Sequence, residues 1–262
     1  MSKPWYEAAF GADYLERYRH RDVDEASHAV RTLLANAAVD ADTPVLDLCC
    51  GAGRHVVALR GEGYHVVGFD LSADLLNAAT ELFRERYGCG EASGRNCPCF
   101  VRGDKRHLPF VAGSFGLVTH FFTAFGYFES DEENFGVFGE VTRVLRPRGW
   151  YLFDFLNAPQ VLAEMADSND GVAVEQFPDG SRVETAKRLT AGQRRVEKDV
   201  RVFHGGKLHH QFRESVRLFH PGELRAALAA KGLEPVREWG DYTGGAYHAA
   251  GSSRWIVLCR RF

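Results

Sequence analysis

Short apolar runs that alternate with amphipathic stretches constrain this chain more than any other feature. Pro44 to Leu48, His65 to Asp70, Cys99 to Arg102, Leu117 to Phe122 and Trp150 to Phe155 each have the length and composition of a strand. Between them the spacing is helical: Arg54 to Arg60, stopped by Gly61 and Gly63; a helix opened by Ser72 and running through Tyr87; and one opened by Ser130 with Glu133. The last carries Phe135, Phe138, Val141 and Leu145, whereas Gly88 to Pro98 is rich in Gly, Ser, Asn and Pro and reads as a loop. Ahead of the first strand, Ala29, Val30, Leu33, Leu34 and Ala37 share a helical face, with Asp22 and Glu25 patterned as a capping box. Strands joined by crossover helices pair in parallel, and such a sheet is covered on both faces.

Near Gly171 the period changes from helical to two. Val183, Thr185 and Leu189, then Val196, Val200 and Val202, then Leu208, Phe212, Val216 and Leu218 alternate with polar residues. Gly205-Gly206 suits a two-residue hairpin turn that needs positive φ. An antiparallel β-sheet is therefore predicted as an insertion. After it Pro221 opens a helix that ends at Gly232, and Leu233 to Arg237 and Trp255 to Cys259 complete the main sheet. The expected fold is α/β, doubly wound and mostly parallel, with seven strands of which the last hairpin is antiparallel. Residues 1–40 are expected to form a helical cap, 41–168 with 219–262 the main domain, and 169–218 the inserted sheet.

The stretch Val45-Leu-Asp-Leu-Cys-Cys-Gly-Ala-Gly-Arg-His55 carries the chemistry. A strand that delivers Asp47, a turn with Gly51 and Gly53, and then a helix N-terminus lets the backbone approach a nucleoside-bearing ligand at the strand ends. Asp70 closes the second strand, where a carboxylate can accept from both ribose hydroxyls. A dinucleotide site shares these parts, but its third glycine would fall at Val56, and it does not require Asp47.

Four motifs in order resemble those of the class I S-adenosylmethionine-dependent methyltransferases: Asp47-Leu-Cys-Cys-Gly-Ala-Gly53, Gly68-Phe-Asp-Leu-Ser72, Gly103-Asp104 with Leu108-Pro109-Phe110, and Arg143-Val-Leu-Arg-Pro-Arg-Gly149. The likeness spans residues 40–160 and, more loosely, the last forty. It implies a Rossmann-like fold, S-adenosylmethionine as cofactor and S-adenosylhomocysteine as product. It also implies roles: Asp47 and the turn at Cys49, Gly51 and Gly53 lie against the methionine part, Asp70 holds the ribose, and Asp104 accepts from the adenine amine. Leu71, Lys105 and Phe121 belong to the same shell. Cys49 stands where the family usually has its first glycine, Arg148 replaces a glycine of its Pro-Gly-Gly turn, and Gly116 occupies a position that is commonly Asp.

An acceptor pocket beside the ends of strands four and five would draw on His120, Phe122, Phe125, Tyr127 and Asn157. The loop Gly240-Asp-Tyr-Thr-Gly-Gly-Ala-Tyr-His248 with Arg254 offers Tyr242, Tyr247 and His248, the last as a general base, since imidazole titrates near neutral pH. His120, Tyr127, Tyr242 and His248 are thus the candidate catalytic residues. Phe10, Tyr14 and Tyr18 share one helix face and either close over the cofactor as a lid, with Tyr14 against it, or pack on the sheet. Arg54, Arg17 and Arg21 are candidates for the methionine carboxylate or for solvated surface.

Thirty-two Lys and Arg against 35 Asp and Glu leave a formal charge of -3, without the imbalance a nucleic-acid surface needs. On the insert, Arg195, Arg201, Arg213 and Arg217 are interspersed with Glu197 and Asp199, a pattern expected of a solvated face. Cys89, Cys97 and Cys99 lack a C-x-x-C pair, and His204, His209 and His210 flank a hairpin, so no metal is expected. No apolar run reaches the length of a spanning helix, and unpaired thiols suit a reducing, cytoplasmic setting. The expected function is methyl transfer by direct displacement to an N or O atom of a small metabolite, with the insert as a roof over the acceptor or as a homodimer surface. An RNA methyltransferase and a non-catalytic S-adenosylmethionine-binding interaction protein are the alternatives.

Overall fold

The computed structural model describes residues 4–11, 23–35, 37, 39, 42–88, 99–167, 172–177, 180–190, 192 and 194–262. Tyr14, Arg17, Tyr18, Arg21, Asp22, Cys89 and Cys97 lie outside the described residues. In chain order the elements are α1 (Trp5–Ala9), α2 (Val23–Leu34), β1 (Pro44–Leu48), α3 (Arg54–Gly61), β2 (His65–Asp70), α4 (Ala73–Tyr87), β3 (Cys99–Arg102), β4 (Phe115–His120), α5 (Asp131–Val144) and β5 (Leu145–Leu156). There follow α6 (Ala158–Asp167), β6 (Val172–Gln176), β7 (Arg182–Thr190), β8 (Arg195–His204), β9 (Lys207–Arg217), α7 (Pro221–Ala230), β10 (Leu233–Trp239) and β11 (Arg254–Arg261). No described helix is long and apolar enough to cross a membrane.

The main sheet has seven strands in the order β10-β11-β5-β4-β1-β2-β3. Pairing from β3 through β5 is parallel, and β11 runs antiparallel to both of its neighbours. Order reverses between β1 and β4, which opens a crevice at the carboxyl ends of those strands. Strand alternation sorts the core into two layers. Leu46, Leu48, Val118, Phe153 and Phe155 meet Val137, Phe138 and Val141 of α5 and Leu224 and Leu228 of α7. On the other face Val45, Leu117, Leu152 and Ile256 meet Ala29, Val30 and Leu33 of α2, Val56 and Leu59 of α3, and Phe83 of α4. The same alternation puts buried Asp47, Thr119 and Asp154 on the α2–α4 face and buried His120 and Tyr151 on the opposite one.

Side-chain caps start the helices where the sequence places them. Ser72 accepts from the Leu75 N–H and Ser130 from the Glu133 N–H. Strand β4 begins and ends two residues earlier than the apolar run suggests, because Phe122 and Thr123 take left-handed backbone with φ of 60° and 57°. Helix α6 is an addition; its signal is Pro159 in the first turn and Val161 with Met165 one helical turn apart.

The second sheet is an antiparallel meander, β6-β7-β8-β9. Its apolar runs are β7, β8 and β9, and the Gly205-Gly206 turn joins His204 to its partner Lys207 with φ of 55° and 78°. Exposed Arg201 and Arg213 fit a solvated face, but Arg195 and Arg217 do not. Arg217 is 5% exposed, with its guanidinium bonded to Asp131 at 3.1 and 3.2 Å and to Glu223 at 2.9 Å. Arg195 donates to the carbonyls of Phe128 and Ser215. These arginines lie at the end of the face that meets the first turns of α5 and α7, and they dock the insert on the main body.

Two departures from the methyltransferase motifs share a backbone conformation: Cys49 and Arg148 have φ of 60° and 62°, the region glycine occupies at least cost. At Gly116 a Cβ would fall 2.0 Å from Thr43 Cγ2 and 2.9 Å from the Arg146 guanidinium, so those side chains fill the place of a larger residue. Arg148 is exposed and loses no packing on removal. Arg148→Gly should therefore stabilise the fold by about 0.5–1 kcal/mol, read as a rise in Tm of about 1–4 °C by calorimetry.

Candidate functional site

Three left-handed residues carry the chain from β1 into α3: Cys49, Gly51 and Gly53, the last two with φ of 55° and 81°. Gly53 is needed for packing, since a Cβ there would lie 2.8 Å from the Ala79 side chain of α4. Gly51 instead turns its N–H to Asp70, whose second oxygen accepts from the Ser72 N–H, both at 2.9 Å. One carboxylate thereby ties the turn after β1 to the turn after β2. Burial raises the Asp70 pKa above the ordinary carboxylate value, against the pull of those N–H groups.

Asp47 sits behind this turn, 1% exposed. Its Oδ1 accepts from the Thr119 hydroxyl at 2.8 Å, and its Oδ2 has no hydrogen-bond partner among the described residues. Burial, with Asp70 nearby, pushes its pKa up to about 7 even though Thr119 opposes the shift. The neighbouring thiols are also suppressed: burial pushes Cys49 up to about 12 and Cys50 well above its ordinary value. Neither is a nucleophile at neutral pH.

Of the cofactor-binding residues named above, Cys49, Gly51, Asp70, Leu71, Asp104, Lys105 and Phe121 line one cavity of about 110 Å³. Its remaining walls include Tyr6, Phe10, Phe122, Tyr127 and Phe128. Asp47, Gly53 and Arg54 do not line it. Burial pushes the Asp104 carboxyl up, but hydrogen bonds from Arg106, as short as 2.7 Å, outweigh it and hold the group below its ordinary range. Lys105 is 8% exposed, donates to the Ala124 carbonyl, and lies 4.4 Å from the centre of the Tyr127 ring. Burial lowers its pKa.

A second cavity of about 380 Å³ adjoins the first and shares Phe10, Phe122 and Tyr127 with it. Its floor and walls include Trp5, Leu156, and Val161, Glu164 and Met165 of α6, and its roof is Lys187, Val196, Lys198, Glu214 and Val216 of the inserted sheet. The shared turn at Phe122 and Thr123 is held from behind by Asp154, which is fully buried. Asp154 accepts from the Phe122 N–H at 2.7 Å, from the Tyr242 hydroxyl at 2.5 Å and from Arg254 Nε at 2.5 Å. Arg254 also donates to the Thr123 hydroxyl, and Tyr242 stacks on the Phe122 ring at 5.2 Å.

These contacts correct several expectations. His120 reaches neither cavity: it is fully buried, Nε2 donates to the Ala124 carbonyl, and Nδ1 therefore accepts from the Tyr151 hydroxyl. Burial, aided by Lys105, pushes its pKa down to about 3, so it is a fixed neutral group in the core. His248 is exposed on a turn and lines neither cavity. Tyr242 is spent on Asp154, and burial raises its pKa well above the ordinary value. Asn157 and Tyr247 bond to each other, and Phe125 is core. Arg54 pairs with Glu25 at 2.8 Å and lies 3.9 Å from the Phe122 ring centre. Only Tyr127 of the four catalytic candidates touches both cavities. Residues not singled out in the sequence are Asp154, Thr123, Glu164, Met165, Lys187, Lys198 and Glu214; for Asp154, Lys187, Lys198 and Glu214 the signal is a charged residue that breaks an apolar strand face.

The first cavity suits S-adenosylmethionine by its own features. A close backbone turn, a carboxylate at the end of β2, aromatic walls for a sulfonium, and an unpartnered buried carboxylate oxygen at Asp47 behind the turn form one group. No group of three or more His, Cys, Asp and Glu among the described residues could hold a metal ion.

Residues 45–149 match the family described as a methyltransferase domain. A demethylmenaquinone methyltransferase of Lactobacillus johnsonii is 33% identical over 110 residues, 40% of either chain. A dTDP-3-amino-3,4,6-trideoxy-alpha-D-glucopyranose N,N-dimethyltransferase of Streptomyces venezuelae is 25% identical over 223 residues, 82% of this chain and 86% of that one. With several other curated methyltransferases the chain spans about half of their length. A solved S-adenosylmethionine-dependent methyltransferase from Clostridium acetobutylicum has the same fold, with a TM-score of 0.78 over 95% of this chain and 98% of that one, at 16% identity. Residues 45–149 thus match a methyltransferase domain, and the whole chain shares the fold of solved S-adenosylmethionine-dependent methyltransferases.

Proposed function

We propose that this chain moves a methyl group from S-adenosylmethionine by direct displacement to a nitrogen or oxygen atom of a small molecule. The observation that carries the reading is the meeting of two cavities at Phe10, Phe122 and Tyr127, one built on the glycine turn and Asp70, the other roofed by the inserted sheet. The cofactor supplies a sulfonium methyl that is already activated, so alignment accounts for most of the acceleration asked of the protein. In this reading Asp70 holds the ribose hydroxyls and Asp104 keeps lone pairs beyond its Arg106 bonds for the adenine amine. Cys49 and Gly51 face the methionine part with Asp47 behind them, while Leu71, Lys105 and Phe121 complete the shell. Phe10 closes the cavity from the N-terminal side.

No histidine lines either cavity among the described residues. An amine acceptor can lose its proton to water after transfer, whereas a hydroxyl needs a base, and the carboxylates among the described residues of the second cavity are Glu164 and Glu214. The Streptomyces venezuelae relative, named for dimethylating an amino sugar, agrees with a nitrogen acceptor. The same reading takes residues 1–40 as the cap, 41–168 with 219–262 as the main domain and 169–218 as the insert. A cytoplasmic location and a homodimer that uses the insert belong to the same reading.

Isothermal titration with S-adenosylhomocysteine and, separately, with NAD tests the cofactor assignment. Heat from the first alone is expected, and heat from NAD alone would overturn the reading. Asp70→Ala should weaken S-adenosylhomocysteine binding by about 1–3 kcal/mol through lost charged hydrogen bonds; an unchanged Kd in the same titration counts against that role. Asp47 makes a prediction for the protein without ligand. Its folded pKa of about 7 lies above the ordinary carboxylate value, so the folded state keeps a proton that the unfolded chain has released. Stability should fall as pH climbs from about 4 to 7, where the unfolded chain binds fewer protons. Asp47→Asn should flatten that slope and raise stability at pH 8 by about 1–3 kcal/mol, as read from urea melts across the pH range.

A further inference from the structure

One row of charge crosses the underside of the inserted sheet between two rows that carry none. Lys187 of β7 is the direct cross-strand partner of Lys198 of β8, which is the direct partner of Glu214 of β9. All three line the second cavity. The row above is Thr185, Val200 and Phe212, and the row below is Leu189, Val196 and Val216. Two ammonium groups set opposite each other on neighbouring strands destabilise a sheet, and here one carboxylate stands against two of them.

That carboxylate is not tightly engaged. Lys198 and Glu214 are 20% and 19% exposed, yet their charged atoms are 3.7 Å apart, beyond hydrogen-bond range. A largely desolvated pair so loosely made recovers little of its desolvation penalty. The outer face of the same sheet is arranged differently: Arg213 lies 2.6 Å from Asp199, and Arg188 is bonded to both Asp199 and Glu197. On the outer face Asp199 and Glu197 are each bonded to arginine, whereas in the cavity row two ammonium groups share one loosely held carboxylate. Of the other charged groups in the cavity, Arg254 is committed to Asp154 and Thr123, and Glu164, which accepts from Gln160 at 3.2 Å, stands on α6 and not in the row.

We propose that Lys187 and Lys198 form a docking site for an anionic group, a carboxylate or a phosphate monoester, carried by the methyl acceptor. The inference rests on the methyltransferase reading for the identity of the occupant, whereas the anion site itself stands on the row of charge. An acceptor held there extends from the roof toward the opening at Phe122 and Tyr127, so the anchored group and the methylated atom belong to different ends of the molecule.

The test is titration of the full chain, with and without saturating S-adenosylhomocysteine, using benzoate, phenyl phosphate and the neutral benzamide as probes. At least one of the two anions should bind at least tenfold more tightly than benzamide, and the preferred anion separates a carboxylate acceptor from a phosphorylated one. Lys187→Gln and Lys198→Gln should each cut that preference at least fivefold. Glu214→Gln should increase it, which loss of a merely structural pair would not do. Lys187 is exposed, so its variant gives a reading even where Lys198→Gln fails to fold. Equal binding of the three probes, no binding of any, or an anion preference unchanged in Lys187→Gln overturns the proposal. Failure of the methyltransferase reading looks different: S-adenosylhomocysteine gives no heat while the anion preference persists.

Discussion

A buried carboxylate decides the shape of the crevice. Asp154 lies fully buried near the carboxyl end of β5, and its side chain gathers the Phe122 N–H and the Tyr242 hydroxyl from two loops and the Arg254 side chain from the start of β11. Phe122 and Thr123 occupy backbone that costs a bulky or branched side chain on the order of 1–3 kcal/mol each. Three charge-assisted hydrogen bonds in a low-dielectric site are of the right size to offset that cost. The Phe122 ring is thereby set between the two cavities, and with it the opening through which they communicate.

Much of the fold is legible in local pattern. Strands β1, β2 and β3 have the bounds their apolar runs suggest, and Ser72 and Ser130 cap helices as their positions imply. These features depend on neighbours in the chain, and the glycine turn with Asp70 depends on little more. The side-chain roles that escaped depend on distant partners. Arg195 and Arg217 have the alternation of a solvated face, but Arg217 meets the first turns of α5 and α7 and Arg195 the Phe128 carbonyl ahead of α5, which no local pattern reveals. His120 ends an apolar strand in the way a catalytic residue does, and strand alternation turns it to the sealed face toward Tyr151 instead. Asp154 reads as an ordinary polar residue in a strand until Tyr242 and Arg254, about a hundred positions later, come back to it.

The family's glycines illustrate the difference between a motif and its physical cause. Cys49 and Arg148 stand where the motifs usually have glycine, and the backbone is left-handed at both positions. The surrounding turn is determined by stronger contacts: Gly51 to Asp70 on one side, and the pairing of β5 with β4 and β11 on the other. Gly53 does not tolerate the same exchange, because Ala79 occupies the space a Cβ would need. Which glycine can drift is a matter of what stands beside it.

The two cavities are also segregated along the chain. Every described residue lining the first lies between Tyr6 and Phe128, whereas from Leu156 onward the chain contributes only to the second. Inheritance can therefore act on the two halves separately. On the methyl-transfer reading, substitution in the insert and α6 can remodel what enters the larger cavity while the nucleoside grip is passed on intact, and a lineage built on this plan can acquire new acceptors without reinventing its donor.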